Sequence, residues 1–124
     1  MDNSQKEFLM VLAYLYIRYS KYDEAFLLLK GLKEFFPDDI DLGLSYANAC
    51  FATQRPKDAF AELEALDGKE LDNQQKKLFY ILRSKTMWAL GHDSEARSAL
   101  VHFLGIEERE ARLAEVTRKK SREK

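Results

Sequence analysis

The chain has 124 residues, 46% hydrophobic and 33% charged, a size and composition that fit one domain with its own core (1–124) and leave no room for two. Its 20 Lys and Arg are balanced by 21 Asp and Glu for a net charge of −1, which argues against a nucleic-acid binder. One cysteine, Cys50, excludes an intramolecular disulfide and any multi-cysteine metal site.

Five glycines and two prolines favour long helices over a turn-rich β architecture. The spacing predicts a first helix over 4–20 and a second over 22–36. Pro37 and the pair Asp38-Asp39 stop that unit and cap a third helix, 40–54. Pro56 suits the first turn of a fourth, 56–67, where its missing N–H has no helical partner to lose. Gly68 ends that helix in the left-handed position. Asp72 and Gln75 form a capping-box pattern for a fifth helix, 72–90, which Gly91 ends. Asp93 is expected to cap a sixth, 93–104, and Gly105 to break the chain before a seventh, 106–121. That seventh helix is charged on most sides, with Ile106, Ala111, Leu113, Ala114 and Val116 as its apolar residues. It is expected to act as a solvating cap at the end of a stack. The tail 118–124 is basic, and reads either as a frayed terminus or as a contact for an acidic partner or membrane surface.

An internal repeat organises these helices. Tyr22-Asp23-Glu24-Ala25, Pro56-Lys57-Asp58-Ala59 and Asp93-Ser94-Glu95-Ala96 align, with steps of 34 and 37 residues between the alanines. Four residues after each alanine stands a leucine (Leu29, Leu63, Leu100), and seven after it a large apolar residue (Leu32, Leu66, Phe103). Those offsets share one helical face, and the alanine admits close approach of a neighbouring helix. Ala13, Ala47 and Ser84 are the small residues of the first helices. The pattern resembles the tetratricopeptide repeat, a helix–turn–helix unit. The expected fold is therefore all-α, a helical repeat of three units (about 6–39, 40–73 and 77–105) with a C-terminal capping helix and basic tail at 106–124.

In such a stack the first helices line a concave face. By register that face holds Met10, Tyr14 and Ile17 in the first unit, Leu44, Asn48 and Phe51 in the second, and Ile81, Lys85 and Trp88 in the third. Residues 8–17 are apolar all round, although a helix packed on one side needs only one apolar stripe. The surplus reads as a groove for an amphipathic segment of another protein. The competing readings are ordinary core and a homodimer contact. The carboxylate clamp with which related repeats grip acidic chaperone tails is excluded: Met10, Tyr14, Leu78 and Leu82 stand where its Lys, Asn and Arg would be.

The remaining chemistry is sparse. Cys50 falls on a packing face and reads as a small buried hydrophobe. His92 and His102, ten residues apart across a break, read as exposed or edge residues, so no metal and no cofactor is expected. No phosphate-binding loop, zinc-protease motif or nucleophile elbow is present, and the chain is not expected to be an enzyme. The apolar run 8–17 is half of the about 20 residues that a membrane span needs. Asp2 and Glu7 flank it, and Arg18, Lys21 and Asp23 follow in place of a cleavage site, so a cytoplasmic protein is expected.

The stretch Glu7-Phe8-Leu9, with Tyr14, Leu15, Ala25, Leu28-Leu29, Leu32 and Pro37, resembles the small tetratricopeptide chaperones of bacterial type III secretion, of the YscY/SctY family. The similarity runs ungapped over about 31 residues, and the second half agrees only at the repeat positions. It implies a cytosolic bacterial chaperone that holds an early export substrate, SctX/YscX-like, as a heterodimer and supports docking at the export gate component SctV. The runner-up is the chaperone of the needle subunit of the same system. A constitutive repeat scaffold is the third reading.

Overall fold

The computed structural model describes residues 1–123. They form six α-helices and no strand: α1 (Asn3–Arg18), α2 (Tyr22–Phe35), α3 (Ile40–Ala52), α4 (Pro56–Leu66), α5 (Asn73–Ala89) and α6 (Asp93–Arg122). Each helix packs on the next, and α3 also touches α5. Asp2 and Gln5 close a capping box on α1, and Asp72 and Gln75 close a second on α5, each satisfying two backbone N–H groups reciprocally. Asp39 caps α3, its carboxylate accepting from the Leu42 N–H at 2.9 Å. Pro56 occupies the first turn of α4.

Three hairpins repeat one turn geometry. Ser20, Gln54 and Gly91, spaced by the same 34 and 37 residues as the alanines, all have left-handed φ (61°, 61° and 82°). After each, an N–H reaches back to a helical carbonyl: Lys21 to Tyr16 at 2.7 Å, Arg55 to Cys50 and His92 to Met87 at 2.8 Å. These bonds satisfy orphan carbonyls at the helix C-termini and fold the chain back. Gly68 provides a fourth left-handed residue, just past α4, with φ 86°.

The core has two parts that meet in α3. Ala13, Phe26, Leu29, Leu32, Leu42, Ala49, Cys50 and Ala59 form the first; Leu44, Ala47, Leu63, Leu66, Phe79 and Leu82 form the second. Ala25, Ala59 and Ala96 are buried, as are Ala13 and Ala47. Ser84, their counterpart in α5, donates its hydroxyl to the Ala96 carbonyl at 2.9 Å. Gly43 admits α4: a Cβ there would stand 2.9 Å from Glu62 Oε1 and 3.4 Å from Leu66 Cδ2. Ion pairs join neighbours at the rim, Lys6–Asp39 and Lys33–Glu62 at 2.6 Å each.

Four expectations are corrected. Gly105 does not break the chain, and the helices expected over 93–104 and 106–121 are one, α6. A single glycine costs a helix only about 1 kcal/mol, and good helix formers follow it. Consequently no seventh helix folds over the stack as a cap. α6 instead runs antiparallel to α5, where Glu110 and Glu107 meet Lys77 at 3.1 and 3.4 Å, and continues beyond it. The cap residue of α6 is His92, with no side-chain bond, and Asp93 is its first helical residue. The tail is helical through Arg122 rather than frayed; its last residue, Lys124, lies outside the described residues. Leu100 is exposed, unlike Leu29 and Leu63, because among the described residues α6 packs on α5 alone.

Candidate functional site

The nine groove positions keep one register, at steps of 34 and 37 residues, but their burial differs by hairpin. On α1, Met10 and Ile17 are half-buried and Met10 leans on the first core cluster, while Tyr14 is 58% exposed. The Tyr14 hydroxyl accepts from Arg18 at 3.4 Å. On α3, Asn48 and Phe51 are half-buried, with Phe51 against the same cluster. Leu44 is buried in the second cluster, since α3 is flanked by both α4 and α5. On α5, Ile81 is half-buried, Lys85 exposed and Trp88 68% exposed. Trp88 is the counterpart of Ile17 and Phe51, and it stands clear because it belongs to the last hairpin.

A pocket of about 440 Å³ lies where α3, α5 and α6 meet. Leu44 and Ile81 line it together with Leu78 and Phe103, while Asp41, Ser45, Gln75 and Lys77 add polar groups. Gln75 donates to Asp41 across it at 3.0 Å. Two of the nine sequence-derived positions therefore share a cavity, and the other seven do not reach it. Phe103 enters this site from a third helix, α6. Its offset from Ala96 marked it as packing, and the α5–α6 hairpin sets it at the pocket beside α3 and α5.

Lys77 at the pocket border has its pKa raised, chiefly by its bond to Glu110. Burial pushes the Cys50 thiol up to about 11 and the Tyr46 hydroxyl up to about 12, so both are neutral at physiological pH. His92 and His102 are exposed; the His102 ring stacks on Tyr80 at 4.9 Å and its Nδ1 donates to the Ser98 carbonyl at 2.9 Å. Among the described residues no group of three or more His, Cys, Asp or Glu is placed to hold a metal ion, and no helix is long and apolar enough to cross a membrane. The arrangement offers apolar contact with a polar border, which suits the burial of a side chain rather than bond chemistry. No protein-family model, no curated protein and no solved structure matches the chain.

Proposed function

We propose that the three hairpins are tetratricopeptide-like units and that the chain is a non-enzymatic binding module of the bacterial cytosol. On the resemblance of residues 7–37, its role is that of a type III secretion chaperone of the YscY/SctY kind. Its ligand is an amphipathic helix of an early export substrate, SctX/YscX-like, and the heterodimer docks at SctV. The observation that supports a groove is the apolar lining of the α3–α5–α6 pocket, Leu44, Leu78, Ile81 and Phe103, followed along α5 by exposed Trp88, two turns past Ile81. Aromatic and aliphatic anchors in a desolvated pocket carry most of the energy of such interfaces. An export substrate needs its apolar helix shielded until it enters a channel, and release must leave the chaperone folded.

Purification of the protein from its native bacterium, with identification of what co-elutes, tests this. An SctX-like polypeptide is expected. A needle subunit would move the assignment to the needle-subunit chaperone. A chain that elutes alone and melts as a stable monomer would overturn both and leave a scaffold. Affinity for the substrate should change little between about 0.1 M and 1 M salt, because apolar burial is not screened as exposed ion pairs are.

A further inference from the structure

On α1 and its C-cap, Phe8, Val11, Leu15 and Tyr19 follow one another at steps of 3, 4 and 4 residues and are 68%, 57%, 41% and 71% exposed. At about 100° per residue, Val11 and Leu15 lie roughly 160° to either side of buried Ala13. The stripe therefore faces away from the bundle, opposite the groove residues Met10 and Ile17, with the third groove residue of α1, Tyr14, on the flank between them. No charged side chain interrupts it. Lys6 is turned inward to Asp39 at 2.6 Å. The charges that border the stripe are Glu7 and Arg18. They are 11 residues apart, close to three full turns, so they stand on the same flank near its two ends. Glu7 has only a loose contact, 3.9 Å from Lys6.

We propose that this face pairs two copies of the chain through an antiparallel α1–α1 contact about a two-fold axis. In an isologous contact each residue i that meets j is matched by j meeting i. With the axis passing near Leu12 and Ala13, Phe8 meets Tyr19 of the second copy and Val11 meets its Leu15. The same register sets Glu7 opposite Arg18 of the second copy, twice. Phe8 and Tyr19 leave more than two-thirds of their surface uncovered, and a large aromatic carries about 150–250 Å². Those two alone supply roughly 200–350 Å² per copy, and Val11 and Leu15 add to it. The total falls at the low end of specific interfaces, about 1,200 Å² or less over both partners. The dimer is thus reversible, and it leaves the α3–α5–α6 pocket of each copy, to which α1 contributes no residue, open.

Sedimentation equilibrium of the full chain, from micromolar to about a hundred micromolar, reads the association directly. A monomer–dimer equilibrium is expected. Leu15→Glu should give a monomer at every concentration with an unchanged helical spectrum and melting curve. Glu7→Arg should weaken the dimer about tenfold, since two attractions become two repulsions. Glu7→Arg combined with Arg18→Glu should restore it. A wild-type chain that stays monomeric overturns the proposal, as does a species larger than a dimer, which a head-to-tail contact would build. So does a dimer that survives Leu15→Glu or is lost in Trp88→Ala instead. A combined charge swap that binds no better than Glu7→Arg alone overturns the antiparallel register.

Discussion

Thr86 is the buried polar residue of this protein whose hydroxyl finds no partner among the described residues. A buried unsatisfied hydroxyl costs about 1–3 kcal/mol. Thr86→Val keeps the shape and removes that group, so it should raise stability by about 1 kcal/mol in urea unfolding. Asp39 shows the opposite situation. Burial pushes its carboxyl up, but hydrogen bonds from Lys6 and the Leu42 N–H, with the Lys6 charge, outweigh burial and hold it below its ordinary value. Lys6 is raised in turn, chiefly by its bond to Asp39. For a depressed carboxylate the stabilisation is fully present above the unfolded value of about 3.9 and is lost as pH falls through the native one. The raised Lys6 contributes below its unfolded value of about 10.4 and loses that contribution as pH climbs past the native one. Unfolding curves should therefore weaken below about pH 4, and Asp39→Asn, which keeps a cap for α3, should flatten that acid slope.

At the scale of elements, the three hairpin turns share one backbone solution but not one residue. Only the third has glycine at the left-handed position; the first two force Ser20 and Gln54 into it. An L-residue there costs roughly 1–2 kcal/mol, of which glycine's greater chain entropy takes back a part. Gln54→Gly should accordingly stabilise by about 0.5–1 kcal/mol, read as a higher melting temperature. The long helix gives the converse case. Gly105 sits in mid-α6 with no atom within 4 Å of a would-be Cβ. Gly105→Ala should add about 1 kcal/mol of stability without changing the fold. A destabilised Gly105→Ala variant would mean that the helix bends or breaks there in solution.

For the whole molecule, burial follows position in the stack. Leu29 is enclosed between its own hairpin and the next, Leu63 by the hairpins on either side, and their equivalent Leu100 is left open. Leu63→Ala should cost about 2–5 kcal/mol through lost contacts and a residual cavity. Trp88→Ala should leave the melting curve nearly unchanged, because its side chain is 68% exposed, and should lower affinity for the proposed partner. Equal melting losses in the two variants would make Trp88 part of the core. Apolar surface is exposed in the first and last hairpins, at Phe8 on α1, Tyr19 at its C-cap, and Val101 and Leu104 on α6, where among the described residues no further helix packs over them.

Much of this was legible in the residues. The alanine register, the small residues Ala13 and Ala47, the capping pair Asp72–Gln75, Pro56 and the glycines at 68 and 91 act over a few residues, so local chemistry names the helices and their starts. The turns at Ser20 and Gln54 were hidden because neither residue type announces a left-handed backbone; the hairpin imposes it. Gly105 looked like a stop because glycine often is one, yet contact with α5 carries the helix through it. The groove positions shared one register in the chain, but register says nothing of what lies across a gap. Whether Leu44 is floor or core, whether Phe103 joins it, and whether Trp88 is covered all depend on which helix stands opposite. That is a property of packing between segments distant in sequence, and only the tertiary structure decides it.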